Sequence, residues 1–445
     1  MPRIRPISAV QYPVSDGPDV STRIAPPYDV LDETSKAALL QQSPANIVAI
    51  DLPHLPAKTV GPDATYDAAG KLYRQWIADG VLTRRTTPAV FVYQQTYTVG
   101  DDTFRRRGLM ANVAVQPFGL APEIEGAPSA GGIFPHEQTF SGPKEDRLKL
   151  MRATQAQLSP IFGLYSDADG AIGNVLTDVV ASRKPDMVGR TANDNVLHEL
   201  WTIDSAADVK AWEDLLRSAD VFIADGHHRY NTALNRLNEL EAGGNVAADD
   251  PSRHCLFCLV AMQDPGMIVL PTHRVLGGMA GLTREAFTKA AAGKLDIKPF
   301  AGTDLTALEA ALPAAGPHAM GLCFAGEDQP LAIATTVDGD PLKATHPDAS
   351  EAWRQLDVAV LQHLIVEGIC QPTFAGGGEV LWKFPHGLDE FETIVNTDGF
   401  QLGVVLQATP LASVQAVSEA GELMPQKSTF FYPKVATGLV INPLD

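Results

Sequence analysis

Glycine and proline punctuate this chain from end to end, with 37 glycines and 33 prolines among 445 residues. Proline removes an amide donor and closes the interior of a helix, and glycine supplies turns, so uninterrupted elements stay short. Long helical bundles are excluded. The spacing predicts an α+β fold, with mixed sheets and helices built from many short pieces. Hydrophobic residues make up 45% and charged residues 20% of the chain, ordinary values for a globular protein. At roughly 100–200 residues per domain this length divides into two to four domains.

Charge and cysteine usage narrow the partners. With 34 basic against 53 acidic residues the formal net charge is -19, which repels a nucleic-acid backbone and leaves only local basic sites for small phosphates. Four cysteines, Cys255, Cys258, Cys323 and Cys370, are too few for a disulfide framework and suit a reducing compartment. The N-terminal stretch carries Arg3 and Arg5 without an apolar core, and no later run approaches the ~18 apolar residues of a membrane span. A cytoplasmic location and no membrane partner are the expectation, and oligomeric state is left open.

Along the chain, Tyr66, Ala69, Leu72, Tyr73, Trp76 and Ile77 recur at helical spacing in a helix predicted over 63–79. Residues 89–99 alternate as a strand, with 108–118 as the antiparallel partner beyond a Gly-Asp-Asp turn, and Arg105, Arg106 and Arg107 read as a solvated strand end. A Gly/Pro-rich loop from Gly119 to Ser141 is too long to be a plain connector. A helix over 144–158, strands at 160–166, 197–204 and 221–225, a helix capped by Ser205, and a core strand over 254–263 follow. Three segments are expected: 1–165, 166–280 and 281–445.

The sharpest chemistry lies where strand Val221–Asp225 meets a helix, in the run Ala-Asp-Gly-His-His-Arg over 224–229. Gly226 permits a tight turn, the helix start presents amide donors and a positive dipole end, and Arg229 adds a bidentate cation. That combination suits a phosphate. Asp225 offers a metal ligand or a partner for an imidazole, and His227 and His228 offer phosphate donors or a proton shuttle. A second cluster, His136 and Glu137 followed by Lys144 and Arg147 at a helix start, supplies a base or Mg²⁺ ligand and cations. HEQTF lacks the second histidine of a zincin. A third, Met424 to Lys434, sets Lys427, Ser428, Thr429 and Lys434 among aromatics, but Gln426 replaces the glycine a P-loop needs. A fourth, Pro271 to Arg274, places His273 and Arg274 after an apolar strand. Cys255 and Cys258 read as core thiols.

Together IRPISA, APPYDVLD, HEQT, GPKEDRL, LSPIFGLY, ADGHHR, PTHR and MPQKSTFFYPK resemble DUF1015, a family named for a domain of unknown function, over nearly the whole chain. More distantly, DGHHRYNTAL is similar to the strand-turn-helix motif of the ParB/sulfiredoxin superfamily, whose Gly-x-His-Arg type turn holds nucleotide phosphates and which includes free serine kinases. The resemblance implies a ParB/sulfiredoxin-like nucleotide-binding core and a kinase using Mg²⁺ with ATP or ADP on a hydroxyl of a free amino acid such as L-serine. On that reading Gly226, His227, His228 and Arg229 hold phosphates, with Arg147, His273, Arg274, Ser428, Thr429 and Lys434 as further contacts. Asp225 or Glu137 activates the hydroxyl or binds Mg²⁺, with His136 beside them, and Lys144 and Lys427 neutralise developing charge. Hydrolysis of a phosphoester at the same site and nucleotide-responsive regulation remain open. Sulfiredoxin chemistry is disfavoured because the turn has no cysteine.

Overall fold

The computed structural model describes residues 4–15, 17–120, 131–139, 141–244 and 246–445. Residues 121–130 and Phe140, within the long loop singled out above, lie outside the described residues, as does Arg3. The chain forms two compact units, one of residues 1–267 with 433–445, the other of 268–432. Both combine helices with sheets, so the fold is α+β.

The first unit is organised by a long hairpin. Val90–Val99 and Asp102–Ala114 pair antiparallel from Phe91↔Met110 to Val99↔Asp102, and Gly100, at φ +58°, makes the two-residue turn. Around it a mixed sheet runs in the order Ile133–Phe134, Val221–Asp225, Ile161–Tyr165, His254–Ala261, Asp102–Ala114, Val90–Val99, Leu197–Ile203 and Met187–Arg190, with Ile4–Arg5 also on Asp102–Ala114. Val92, Leu109, Ala111, Phe257 and Leu259 form the centre of its core. The partner strand starts six residues earlier than the apolar pattern predicts, because the arginine run itself pairs: Gln95 faces Arg106 across the ladder. Arg106 is buried at 1% exposure rather than solvated. Side chains alternate along a strand, so the middle arginine turns inward while Arg105 is exposed.

Three helices brace the turn at Gly226. Asp63–Ala78 buries Tyr66, Ala69, Tyr73 and Trp76 of the predicted stripe, while Leu72 is half-buried and Ile77 exposed at its edge, and it packs on Ser141–Thr154 through Gly70. His227–Gly243 follows strand Val221–Asp225 through Gly226 and stops at a glycine pair.

The second unit holds an antiparallel sheet in the order Leu295–Pro299, Leu331–Thr336, Met320–Phe324, Phe400–Val405, Arg274–Gly277 and Leu381–Lys383. Apolar clusters containing Phe287 and Leu322, and Leu308 and Phe391, form its core. Ile268–Leu270 pairs with Phe430–Tyr432 as a separate ribbon. Among the described residues no helix is long and apolar enough to cross a membrane.

Gly70 gives a direct test of the helix contact. Its replacement by alanine would add about 1 kcal/mol of helix propensity, but the new Cβ would stand 2.2 Å from the carbonyl oxygen of Ala153. Backbone cannot yield as a side-chain end can, so overpacking of ~1–3 kcal/mol wins. Gly70→Ala is expected to lower the urea midpoint at unchanged slope, whereas a stabilised variant would show that the two helices do not touch there.

Candidate active site

Gly226 closes strand Val221–Asp225 in the left-handed region, φ +97°, and its carbonyl accepts the first helical bond from Tyr230 at 2.9 Å. A side chain at this position would be strained, and a Cβ would come within 3.0 Å of Arg229 Nε. Arg229 therefore folds back over the turn. Its Nη2 donates to Asp225 Oδ2 at 2.6 Å, and its Nη1 donates to the carbonyl of Pro160. The other carboxylate oxygen, Oδ1, accepts from Lys434 Nζ at 3.1 Å. Burial would raise the Asp225 pKa, but the Lys434 and Arg229 charges outweigh it and hold the carboxyl well below the usual range. Despite its burial, Arg229 is held above its ordinary value by Asp225 and Asp29.

The histidines divide by burial. His227 is buried, its Nε2 accepts the His136 backbone N–H at 3.3 Å, and the neutral ring therefore carries its proton on Nδ1, 4.0 Å from Glu137 Oε2. The His136 ring packs edge-on against it, centroids 4.7 Å apart. Burial lowers the pKa of both rings, and each is further affected by its neighbours: His136 depresses His227, while Glu137 pulls His136 upward. His228 is only partly buried. Burial lowers its pKa, Glu137 and Asp29 oppose that shift, and Lys58 and Lys144 add to it, which places all four charges around one imidazole.

Asp225 has each oxygen against a cation, Oδ2 against Arg229 and Oδ1 against Lys434, and so anchors both. Among the described residues no group of three or more His, Cys, Asp or Glu is arranged to hold a metal ion. Glu137 stands at 34% exposure, with its Oε2 4.0 Å from His227 Nδ1.

A family model described as a protein of unknown function, DUF1015, matches residues 4–359. The chain belongs to the DUF1015 family. Lys434 and the rest of the C-terminal segment lie beyond that match. No curated protein matches this DUF1015 chain. Among solved structures, a free serine kinase mutant in complex with AMP is similar at 13% identity and a TM-score of 0.33, over 69% of this chain and 89% of that one. A free serine kinase mutant in complex with ADP is similar at 14% identity and a TM-score of 0.33, over 69% and 89%. A conserved hypothetical protein from Pyrococcus furiosus is similar at 14% identity and a TM-score of 0.32, over 69% and 92%.

The DUF1015 chain thus gathers Asp225, Gly226, His227, His228, Arg229, His136, Glu137, Lys144 and Lys434 in its first unit. Arg147 is nearby but engaged: it pairs with Asp146 at 2.8 Å, donates to the Asp51 carbonyl at 2.7 Å and lies 3.8 Å above the Tyr28 ring. With Arg229 it borders a cavity of about 40 Å³, room for water rather than a nucleotide. His273, Arg274, Lys427, Ser428 and Thr429 belong to the second unit. There Arg274 is buried, donates to the carbonyls of Gln426 at 3.2 Å and Lys427 at 2.9 Å, and stabilises the loop. Burial pulls His273 down to about 4, and its Nδ1 accepts from the Leu406 N–H at 3.2 Å.

Asp29 and Lys58 stand beside His228 without a chemical signal in the sequence that singles them out. Asp29, within the APPYDVLD motif, stands 3.8 Å from Lys58, and both act on His228. The motif was the available signal for Asp29; Lys58 had none.

Buried neutral imidazoles give the acid limb of stability a definite sign. His227 is held below its usual value, and His198, buried against Tyr93, is pushed down to about 3. As pH falls below 6.5 the unfolded chain takes up protons that these rings refuse, so their contribution is complete above that pH and is lost progressively toward pH 3. The melting temperature is expected to fall from pH 7.5 to 5, with a shallower slope in His198→Gln; identical slopes would exclude His198 as a source.

Proposed function

We propose that this DUF1015 protein is a nucleotide-dependent phosphotransferase acting on a hydroxyl of a small molecule, with a free amino acid such as L-serine as acceptor. The observation that carries the reading is the charge balance at Gly226: one carboxylate, Asp225, between two cations, Arg229 and Lys434, at the start of a 17-residue helix. That trio has net charge +1 beside the positive end of a helix dipole, an arrangement suited to phosphate oxygens. The acceptor class follows the likeness of DGHHRYNTAL to the turn of free serine kinases.

Each neighbour then has a task. Gly226 lets the phosphates approach the backbone, and Arg229 neutralises charge as the phosphoryl group moves. His228, held neutral and partly exposed, donates a hydrogen bond or relays a proton. Glu137 takes the hydroxyl proton or would hold Mg²⁺, which when bound would shield the phosphate charge. Lys58 and Lys144 provide flanking positive charge. His227, its Nε2 occupied by the His136 amide, orients the loop that carries Glu137.

Phosphorus NMR of the purified protein with Mg²⁺, L-serine and either ATP or ADP tests this directly. A phosphoserine resonance is expected, and Arg229→Ala or His228→Ala should reduce its rate by about 10²-fold or more at unchanged secondary structure. Free phosphate without phosphoserine would assign hydrolysis instead, and an unchanged nucleotide spectrum would remove the phosphotransfer reading.

A further inference from the structure

Lys434 reaches Asp225 because its backbone is held, and the groups that hold it lie on the long hairpin. Gln95 and Arg106 face one another across the ladder and both are buried. Arg106 Nε donates to Gln95 Oε1 at 3.1 Å, while its Nη2 reaches that same oxygen and the carbonyl of Pro433. With its oxygen occupied, the Gln95 amide turns its Nε2 donor to the carbonyl of Lys434, 2.9 Å away. One cross-strand pair thus takes two successive carbonyls. The Arg106 guanidinium packs 4.6 Å from the centre of the Phe162 ring, and the Tyr93 hydroxyl accepts from the Ala436 N–H at 3.5 Å. Beyond them Thr437 exchanges both backbone bonds with Ala25, at 3.1 and 2.8 Å.

A buried guanidinium is costly to desolvate, and an apolar pair would fill the same space at lower cost. Fixing two backbone carbonyls is something an apolar pair cannot do. We propose that Gln95 and Arg106 are positioning residues, which lock the Pro433–Lys434 backbone so that the lysine ammonium meets Asp225 and completes the phosphate-binding cluster. The proposal rests on the phosphate-site reading above for its functional consequence, and on the hydrogen bonds alone for the placement of Lys434.

Gln95→Glu separates this role from packing, because the carboxylate still accepts from Arg106 but offers no donor to Lys434. Two readouts are taken on the full chain. The first is the acylation rate of Lys434 by an N-hydroxysuccinimide ester, followed by peptide mass spectrometry and normalised to the exposed Lys71. The second is the dissociation constant for Mg·ATP and Mg·ADP in wild type, Gln95→Glu, Lys434→Ala and the double variant. Released from its carbonyl bond, Lys434 is expected to label several-fold faster, and Gln95→Glu should weaken nucleotide binding about tenfold. The double variant should bind no more weakly than Lys434→Ala alone, a non-additivity that a merely structural role would not produce. Unchanged Lys434 labelling in a folded Gln95→Glu protein overturns the proposal, as does full additivity in the double variant. If wild type binds neither nucleotide, the phosphate-site reading fails while the labelling still decides the placement of Lys434. Should Gln95→Glu not fold, Arg106→Lys undergoes the same labelling under the same criterion.

Discussion

The Asp225 carboxylate, shared between Arg229 and Lys434, is the interaction on which the site depends. Without the carboxylate, two partly buried cations would face each other across the Gly226 turn; without either cation, a partly buried anion would lose half its compensation. The three groups therefore constrain one another, and they set the geometry of everything around the turn. Arg229 lies over Gly226 because Asp225 draws it back, which in turn requires a residue without a side chain at that position.

Local charge is also how a chain of net charge -19 can gather cations around one turn. Exposed charges more than ~8 Å apart are largely screened at physiological ionic strength. The acidic surface thus sets solubility and long-range approach, while contact is governed by Arg229, Lys434, Lys58 and Lys144 against Asp225, Asp29 and Glu137. Burial keeps His136 and His227 neutral within that group, so neither adds a cation that would have to be offset.

Elements with strong periodicity were legible in the sequence. The hairpin partners, the helix from Asp63 and the strand before Gly226 follow from spacing and turn chemistry, and they place the Asp-Gly-His-His-Arg run at a strand-to-helix junction. Local reasoning could not join Asp225 to Lys434, which lie 209 residues apart. Nor could it show that residues 433–445 return to the first unit. Arg106 is a different kind of miss. Three consecutive arginines look solvated by composition, yet strand alternation already requires the middle one to face opposite its neighbours, and a glutamine across the ladder was available to receive it. Period took precedence over composition there.

The return of the chain explains how so distant a lysine can be delivered reliably. Closing a flexible loop of 165 residues carries an entropic cost that grows with the logarithm of its length. The second unit meets that cost with its own pairing, since its first strand, Ile268–Leu270, runs antiparallel to its last, Phe430–Tyr432, and Ile268 stands opposite Tyr432. Residue 433 thus leaves that ribbon beside the point where residue 267 entered it. On the first unit's side the hairpin takes hold of both ends: the Tyr97 hydroxyl donates to the carbonyl of Gly266 at 2.6 Å, and Arg106 donates to that of Pro433. The Asp225–Lys434 ion pair thus stands beside a ribbon that brings the chain ends together and a hairpin that holds them.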